Sequence, residues 1–495
     1  MKLTSLIQEL QYEVVQGNVD CNITTLEFDS RKVKEGSVFV CIKGVMSDGH
    51  SYAQKAVELG ASTLIVEDDI TVNSSLVTIL KVDNTRKALS FMSAAYFGHP
   101  ATKLKTIGIT GTKGKTTTAY MVRSILEKSG YKTGLIGTIE TIIGDTVIPA
   151  NNTTPESYLV QEYFAKMVEA GCECVVMEVS SQGLMLYRVG GFTFDFGIFT
   201  NLEPDHIGPG EHKDFADYTA SKAKLFQQCK VGILNVDDKN IHEILKGHTC
   251  SVETYGLSEA ADLRATNVDL HSSLGSLGVT YEVKGLMDFS VQVDIPGKFS
   301  VYNSLTAIAI CRHFQVPVEK IKEALRSIKV KGRVEPIAIS KRFILMIDYA
   351  HNAMSLDSVL TTLREYEPKR LVCMFGCGGN RSRDRRFEMG EISSKKADLT
   401  VVTSDNPRYE EPQAIIDDII TGVKKGPGNF IAICDRKEAI RYCILNAQDG
   451  DVILLAGKGH EDYQEICGVK HHMDERDLIQ EILDEMTPEE KEKLG

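Results

Sequence analysis

The sequence lacks the features that would tie the chain to a membrane, to nucleic acid or to an oxidising compartment. No uninterrupted apolar run reaches the roughly 18 residues of a membrane span, and the first residues form no apolar signal segment. Lys and Arg number 56 against 68 Asp and Glu, and this net charge of −12 disfavours a nucleic-acid or lipid surface. The 12 cysteines include no Cys-x-x-Cys pair and are typical of buried, reduced thiols. We therefore expect a cytoplasmic protein with no membrane or nucleic-acid partner.

The chain is long enough for several domains. Its 495 residues are 42% hydrophobic and 25% charged, as in soluble globular proteins, and contain no internal repeat. Apolar runs alternate with helical patterns, which predicts an α/β fold. We expect a small N-terminal α/β domain over 1–98, a central domain with a mostly parallel sheet over 99–330, and a C-terminal, Rossmann-like doubly wound domain over 331–495. Within the central domain, residues 262–296 alternate in polarity and predict an antiparallel insertion.

The strongest single motif is a glycine-rich turn between a predicted strand and a predicted helix. The run Gly-Thr-Lys-Gly-Lys-Thr-Thr at 111–117 follows an apolar run and precedes an amphipathic one. Glycines let backbone N–H groups turn toward phosphate oxygens, and the helix N-terminus adds the positive end of its dipole. Lys115 supplies a charge for the β- and γ-phosphates, and the Thr116 hydroxyl suits Mg²⁺. The turn predicts a nucleoside-triphosphate site, yet kinase, GTPase and ligase remain open.

Carboxylate and imidazole groups follow two further apolar runs of the central region. Glu178 follows one run, and Asp205 with His206 follows the next. Because ligands bind at the carboxyl ends of parallel strands, we expect these groups near the glycine-rich turn, where they fit a Mg²⁺ site. Lys222 lies in a segment of helical period, and the local sequence alone makes it an ordinary surface lysine.

Six motifs occur in one order along the central and C-terminal regions. They are the turn at 111–117, Glu-Val-Ser-Ser at 178–181, Thr-Asn-Leu at 200–202 with Asp205 and His206, Gly-Lys-Phe-Ser-Val-Tyr-Asn at 297–303, Gly332 with Arg333, and Asp-Tyr-Ala-His-Asn at 348–352. In this order they resemble the Mur ligases, the ATP-dependent amide-forming enzymes of peptidoglycan synthesis. Phe-Asp-Ser-Arg at 28–31 and the loop at 44–49 extend the resemblance to nearly the whole chain.

Three more motifs narrow the resemblance to the branch of the family that adds the third, diamino residue of the stem peptide. They are Asn-Thr-Thr at 152–154, Asp-Asn-Pro-Arg at 405–408 and Gly-Lys-Gly-His-Glu at 457–461. The resemblance implies a ligase that joins meso-diaminopimelate to UDP-N-acetylmuramoyl-L-alanyl-D-glutamate through an acyl phosphate, with ATP and Mg²⁺ as cofactors. We expect diaminopimelate rather than lysine because Arg408 can hold the second carboxylate, while Glu461 takes the distal ammonium.

The resemblance also implies roles for individual residues. Thr116 and Glu178 bind a first magnesium, and His206 holds a second together with Lys222, whose amine is carbamylated; with Lys115, these groups carry the catalysis. The ATP site comprises Gly111, Thr112, Lys113, Gly114, Lys115, Thr116, Thr117, Asn303, Arg333 and Asp348. The UDP-linked substrate is held by Ser30, Asn152, Thr153, Thr154, Ser180 and Arg188. The amino acid is held by Arg381, Asp405, Asn406, Pro407, Arg408, Gly457 and Glu461.

Two departures and several alternatives stay open. The run Ile-Gly-Pro-Gly-Glu-His at 207–212 leaves open whether His212 also serves the metal, and the basic run at 381–386 leaves open which arginine binds the amino acid. A lysine-adding ligase is the nearest alternative; a folylpolyglutamate synthetase does not explain the motifs at 29–31 and 152–154. A P-loop kinase or GTPase needs no third α/β domain, and the intact glycine-rich turn disfavours a non-catalytic binding protein. We expect a monomer.

Overall fold

The computed structural model describes residues 1–44, 47–208, 210–273 and 276–495. The chain divides into two units. The first consists of Met1–Arg264 and Leu305–Lys320, and the second of Ala265–Ser304 and Ile321–Gly495. The second unit is therefore assembled from two stretches of chain that are separated in sequence.

The N-terminal region holds a five-stranded sheet. Its strands are β1 Glu13–Gln16, β2 Leu26–Glu27, β3 Val38–Val40, β4 Thr63–Val66 and β5 Thr78–Lys81, and its helices are α1 Leu3–Leu6, α2 Ala53–Glu58 and α3 Thr85–Tyr96. The order is β1-β5-β4-β3-β2, with β1 antiparallel to β5 and the other pairs parallel. Apolar side chains of β3 and β4 are buried on both faces, as a helix-covered parallel sheet requires. The predicted N-terminal α/β region is confirmed.

The central region is built around the strand that leads into the glycine-rich turn. Its strands are β6 Lys105–Thr110, β7 Thr133–Ile136, β8 Glu140–Ile143, β9 Thr146–Pro149, β10 Cys174–Glu178, β11 Phe194–Phe199, β12 Cys229–Asn235 and β13 Ser251–Gly256. Its helices are α4 Lys115–Lys128, α5 Ser157–Glu169, α6 Ser181–Met185, α7 Phe215–Ala223 and α8 Ile241–Ile244. These strands follow the order β13-β12-β11-β6-β10-β7-β8-β9, and neighbouring strands pair in parallel except for β7 with β8 and β8 with β9. The carboxyl ends of β6, β10 and β11 therefore meet at one edge.

The segment after β13 forms the predicted antiparallel insertion. It contains β14 Leu263–Ser273, β15 Ser276–Gly285 and β16 Phe289–Val293, followed by helices α9 Lys298–His313 and α10 Val318–Ser327; β15 and β16 pair antiparallel. Within the second unit, Leu277 and Phe299 join the apolar core of the C-terminal sheet. The Tyr366 hydroxyl donates to the Gly278 carbonyl over 2.9 Å and accepts from the Gly297 N–H over 2.8 Å. One residue of the insertion, Leu277, therefore contributes to the apolar core of the C-terminal sheet.

The C-terminal region is a second doubly wound sheet. Its strands are β17 Glu335–Ile337, β18 Ile344–Asp348, β19 Arg370–Phe375, β20 Leu399–Val402, β21 Asn429–Ala432 and β22 Asp451–Ala456, followed by the hairpin β23 Tyr463–Ile466 and β24 Val469–His472. Its helices are α11 Ala353–Arg364, α12 Asp384–Lys396, α13 Pro412–Val423, α14 Arg436–Leu445, α15 Glu475–Glu485 and α16 Pro488–Glu492. The order is β17-β18-β22-β19-β20-β21, parallel except for β17. The predicted doubly wound architecture of this region is confirmed, whereas β17 and the hairpin were not predicted.

Two expectations from composition can be compared with the fold. Among the described residues, no helix combines the length and the apolar character that crossing a bilayer requires. All 12 cysteines are free, and nine of them are buried. Burial raises the pKa of several of these thiols, Cys41 and Cys373 to about 12, so they stay protonated and unreactive.

Candidate active site

The glycine-rich turn joins β6 to α4, as the strand–turn–helix pattern predicts. Gly111 and Gly114 have φ angles of 149° and 85°, in the region that favours glycine. A Cβ on Gly111 would lie 1.9 Å from the Thr200 hydroxyl, so this close approach to the end of β11 excludes any side chain. Thr200 donates to the Lys113 carbonyl over 2.7 Å. The neighbouring strand thus holds the turn in its shape.

Two lysines converge on one carbonyl oxygen of this turn. The Lys115 amine donates to the Gly111 carbonyl over 2.9 Å, and the Lys222 amine donates to the same oxygen over 2.8 Å. Lys222 is 1% exposed, and its amine lies 4.5 Å from the centre of the Tyr218 ring. Burial, together with the charge of Lys115, lowers the pKa of Lys222 well below its usual value. The structure therefore brings Lys222 to the glycine-rich turn, which the local sequence did not indicate.

Glu178 ends β10 and is buried beside the first turn of α4. Its Oε2 accepts from the hydroxyls of Thr116 over 2.9 Å and Thr138 over 3.0 Å, and its Oε1 accepts from the Thr138 N–H over 2.8 Å. The parallel pairing of β6 with β10 places Thr116 and Glu178 together, as the strand-end argument expects. A hydroxyl and a carboxylate are oxygen ligands of the kind that Mg²⁺ prefers.

The two histidines after β11 have opposite environments. His206 is exposed, and its Nδ1 lies 3.0 Å from the Glu211 carboxylate. His212 is fully buried, with Nδ1 3.1 Å from the Asp217 carboxylate. The His212 Nε2 is buried without a hydrogen-bond partner among the residues that the structure describes. Pro209, between the two histidines, lies outside the described residues.

Tyr218 connects His212 to the glycine-rich turn. The imidazole of His212 packs against the Tyr218 ring at a centroid distance of 5.3 Å, and the Tyr218 hydroxyl lies 3.0 Å from the Thr112 hydroxyl. The amine of Lys222 lies over the same ring. His212 therefore belongs to the group of side chains that surrounds the turn.

Most residues predicted for the UDP-linked substrate surround the end of β10. The Thr154 hydroxyl donates to the Glu178 carbonyl over 3.0 Å and accepts from the Ser180 N–H over 2.9 Å. The Arg188 guanidinium donates to the Thr154 carbonyl over 3.1 Å, and the Thr153 hydroxyl lies 3.0 Å from that of Thr138. This network connects the predicted substrate residues directly to Glu178.

Ser30 and Asn152 lie outside this network. Ser30 begins a 3₁₀ turn, Ser30–Lys32, whose preceding Asp29 is ion-paired with Arg31 at 2.8 Å. Hydrogen bonds from Arg31 lower the pKa of Asp29 to about 2. Asn152 is exposed. Of the loop at 44–49, residues 45–46 lie outside the described residues.

Three residues predicted for ATP belong to the second unit. Asn303 is buried in α9, and Asp348 ends β18 with 8% of its surface exposed. The Asp348 carboxylate accepts from two backbone N–H groups, each over 2.8 Å, and burial raises its pKa. The Arg333 guanidinium lies 4.8 Å from the centre of the Tyr349 ring. That ring also packs on His460, whose pKa is lowered to about 3 by burial and by Arg333.

Residues predicted for the amino acid line one cavity of about 230 Å³ in the second unit. These lining residues are Arg381, Asp405, Asn406, Arg408, Gly457 and Glu461, joined by Tyr349, His351 and Arg385. They follow the carboxyl ends of β18, β19, β20 and β22, which are neighbours in the sheet. Pro407 is not among the lining residues; a Cβ on Gly379 would lie 1.9 Å from its carbonyl oxygen, so this close approach requires glycine at 379. The structure thus brings together the motifs at 405–408 and 457–461.

The charged groups of this cavity are held in defined orientations. Arg408 donates from Nε to Glu465 over 3.0 Å and from a terminal nitrogen to the Gly379 carbonyl over 2.7 Å. Glu461 accepts from the Asn406 amide over 3.1 Å. The Asp405 carboxylate accepts from the Asn406 N–H over 2.6 Å. Guanidinium and carboxylate groups therefore face one small volume.

Two buried basic side chains next to the lining residues of this cavity were not predicted. Lys458 is fully buried and donates to Asn406 Oδ1 and to Glu461, each over 3.0 Å, and to the Tyr463 carbonyl. Arg436 is 4% exposed and donates to Glu475 over 2.7 Å and to the Ser404 and Ala456 carbonyls, each over 3.0 Å. The position of Lys458 inside the motif at 457–461 was an available signal. No signal in the sequence pointed to Arg436, because its hydrogen-bond partners are distant in sequence.

Three family profiles match three successive stretches of the chain. The profile described as "Mur ligase family, catalytic domain" matches residues 22–97, "Mur ligase middle domain" matches 109–311, and "Mur ligase, glutamate ligase domain" matches 332–459. The chain belongs to the Mur ligase family, whose members are ATP-dependent ligases that form amide bonds. The predicted family and α/β architecture are confirmed.

Relatives within this family share one particular name, UDP-N-acetylmuramoyl-L-alanyl-D-glutamate–2,6-diaminopimelate ligase. The protein of that name from Clostridium perfringens is 44% identical over 493 residues, which are 98% of this chain and all of the relative. The first such ligase of Clostridium acetobutylicum is 44% identical over 489 residues, with the same coverage. A solved structure under the same name has a TM-score of 0.73 at 27% identity and covers 98% of this chain and 99% of its own.

Proposed function

We propose that this chain joins meso-diaminopimelate to the D-glutamyl carboxylate of UDP-N-acetylmuramoyl-L-alanyl-D-glutamate, with ATP as energy source, in peptidoglycan precursor synthesis. The observation that carries the proposal is the cavity where Arg408 and Arg381 meet Asp405 and Glu461. Diaminopimelate carries two ammonium and two carboxylate groups, so it matches a cavity with both signs of charge. The names of the relatives support the same substrates.

The reaction has two chemical steps. In the first, an oxygen of the D-glutamyl carboxylate bonds to the γ-phosphorus of ATP, and ADP leaves with the electron pair of the broken P–O bond. In the second, the amine attacks the acyl carbon, inorganic phosphate leaves, and a proton is released as the amide forms. Two anions meet in the first step, so their repulsion must be screened and their positions fixed. We assign Lys115, which lies in the turn at 111–117, to the phosphate oxygens.

Thr116 and Glu178 are the groups that would hold a first Mg²⁺. Both offer oxygen, both are buried, and Glu178 here accepts from Thr116, so the pair is already aligned. Bound Mg²⁺ supplies positive charge that stabilises the phosphate oxygens during transfer. The protein's own part is to keep this carboxylate desolvated and oriented through Thr138.

Lys222 fits a metal site only after modification, because an ammonium group repels a cation. Burial lowers its pKa, which provides the neutral amine that attacks CO₂. The nitrogen lone pair forms a bond to the carbon of CO₂, the π electrons of one C=O bond move onto its oxygen, and the nitrogen releases a proton, which leaves a carbamate anion. The product is an anionic oxygen ligand beside Gly111. His206 remains the proposed imidazole of this second site, and we add His212, whose buried Nε2 has no partner among the described residues.

Several wider expectations belong to the same proposal. Each substrate group is assigned to residues of a single chain, so a monomer suffices. The free cysteines fit the reducing cytoplasm, where ATP and UDP-linked sugars are available. The division into domains at 98/99 and 330/331 stays a prediction.

A direct assay tests the proposal against its alternatives. Purified protein is incubated with ATP, Mg²⁺ and the UDP-dipeptide, and ADP release is measured with diaminopimelate, with lysine and with neither. We expect diaminopimelate-dependent ADP release and a product heavier by one diaminopimelate residue in mass spectrometry. Faster turnover with lysine would establish the lysine-adding version. In a parallel reaction with a folate and glutamate in place of these substrates, ADP release would establish the synthetase alternative, and ATP binding without turnover in any reaction would contradict a ligase.

A further inference from the structure

A second cavity, in the first unit, has no part in the proposed reaction. Its volume is about 1080 Å³, and at the amino ends of four parallel strands it is lined by Lys105 of β6, Glu173 just before β10, Asp195 of β11 and Lys230 of β12. The glycine-rich turn follows the carboxyl end of β6, so this space, the amino-end cavity, lies at the opposite edge of the same sheet. A cavity of this volume can hold a whole small molecule.

One buried side chain in the wall of the amino-end cavity, Gln161 of α5, lacks hydrogen-bond partners. Gln161 is 1% exposed, and neither its amide nitrogen nor its amide oxygen has a partner among the residues that the structure describes. Burying an amide without partners is costly, and proteins pair nearly all such groups. Because an amide offers a donor beside an acceptor, it matches a ligand that carries an acceptor beside a donor.

Aromatic rings also line the amino-end cavity. Four of them are half-buried: Tyr131, Phe192, Phe196 and Phe314. The Phe192 ring packs edge-on against Phe164 at a centroid distance of 5.2 Å, and Phe164 lies three residues after Gln161 in α5. Since residues three apart share a helix face, Phe192 lies on the face of α5 that carries Gln161. A half-buried ring keeps free surface on which a planar group can pack.

Two half-buried ionisable groups of the wall are paired within the protein. Asp195 accepts from the Lys230 amine over 2.8 Å, and His313 Nε2 lies 3.0 Å from the Glu253 carboxylate. Other lysines and carboxylates of the wall are exposed, where water solvates them: Glu9, Lys103, Lys105 and Glu173. Recognition in this cavity therefore depends on the amide of Gln161 more than on charge, which favours an uncharged ligand.

We propose that the amino-end cavity binds an uncharged planar ring with an amide-type edge, in which a hydrogen-bond donor adjoins an acceptor. The edge pairs with the Gln161 amide through two hydrogen bonds, and the ring packs on Phe192. Aromatic carboxamides and nucleobases share this chemistry. None of the residues assigned to ATP, to the UDP-linked substrate or to the amino acid lines this cavity, so binding here does not depend on the proposed function.

Nicotinamide and uracil represent the two sources, and the full-length protein is titrated with each by calorimetry. We expect at least one of them to bind, and to bind on the order of 10- to 100-fold more weakly to Gln161→Met, which keeps the length of the side chain but loses both hydrogen bonds. The fully N-methylated analogue of each compound lacks the N–H donor and should bind the wild type about 10-fold more weakly. Tighter binding of nicotinamide would indicate a carboxamide ligand, and tighter binding of uracil a nucleobase.

Gln480→Met is the matched control, because the Gln480 amide is exposed and donates to Asp484 over 2.9 Å on the surface of α15. It should bind both compounds as the wild type does. Binding of neither compound, equal binding by Gln161→Met or equal binding of the methylated analogues would overturn the proposal. If Gln161→Met fails to fold, the methylated analogues decide on the wild type. A crystal soaked with the tighter compound should show its ring against Gln161, and an ordered water alone on that amide would refute the site.

Discussion

The side-chain amine of Lys222 lies 2.8 Å from the carbonyl oxygen of Gly111, the same oxygen to which Lys115 donates. Two amines therefore share one acceptor in the glycine-rich turn. Since one of them is buried and has a lowered pKa, they differ in chemistry: Lys115 acts as a cation, and Lys222 is a candidate nucleophile toward CO₂.

Replacing Lys222 by Ala should nearly abolish ligase activity, since it removes the proposed anionic ligand. Addition of a short-chain carboxylate should restore part of the activity by occupying the vacated place. ADP release with and without added acid measures both effects. Lys224→Ala, two residues further along the chain, is the control and should keep near wild-type activity. An active wild type whose intact mass under bicarbonate shows an unmodified lysine would contradict the carbamate.

The variant Lys115→Ala should lose phosphate transfer while it retains the UDP-linked substrate. The Lys115 amine lies at the turn, 2.9 Å from the Gly111 carbonyl oxygen, and loss of one such group typically lowers kcat on the order of 10²- to 10³-fold. Rapid-quench measurement of ADP reports the transfer, and calorimetry reports substrate binding. Lys105→Ala, at the opposite end of β6, should behave as the wild type. Near wild-type ADP release by Lys115→Ala would disprove the phosphate-site assignment.

The preference for diaminopimelate should depend on Arg408. Lysine leaves this guanidinium without the ligand's second carboxylate, and sites of this kind discriminate on the order of 10⁴-fold. Arg408→Ala should remove most of that ratio, measured as kcat/KM for the two amino acids. Glu465→Gln tests the ion pair that Arg408 makes within the protein, in which the Glu465 carboxylate lies 3.0 Å from the Arg408 Nε. A wild type that prefers lysine would refute the assignment, as would Arg408→Ala with an unchanged ratio.

The free energy of unfolding should decrease as the pH falls below neutral, partly because the buried His460 has a lowered pKa. Its pKa is about 3 in the folded protein against an ordinary value of 6.5, so between these values the unfolded chain binds a proton that the folded chain does not. The stabilisation is fully present above pH 6.5 and is lost as the pH falls toward 3. Urea unfolding at pH 7.5, 6.5 and 5.5 should show a shallower pH dependence for His460→Gln than for the wild type. Equal slopes would show that His460 is not buried as a neutral ring.

Local patterns predicted the parts of the fold that depend on neighbouring residues. The turn at 111–117 was predictable because strand, glycines and helix follow one another, and Glu178 because parallel strands end at one edge. The strand β17 and the hairpin formed by β23 and β24 were missed because they are short and half-exposed, so they show little hydrophobic alternation.

Contacts between distant positions could not be predicted in the same way. Lys222 reaches Gly111 across 111 residues, and its helix looks ordinary in sequence. The local sequence does not distinguish Arg385 from Arg383 either, because the partner of Arg383 lies 35 residues further along. Family resemblance supplied the first of these positions, and only the three-dimensional structure supplied the second.

The packing of the insertion against Tyr366 has a consequence for work with isolated fragments. A fragment spanning 331–495 would contain the complete C-terminal sheet but would lose Leu277 and Phe299 from its core. The Tyr366 hydroxyl would lose both of its backbone partners at the same time. Such a fragment should aggregate on expression, whereas one that also carries residues 265–304 through a short linker offers a soluble target for crystallisation and for ligand screening against the cavity of about 230 Å³.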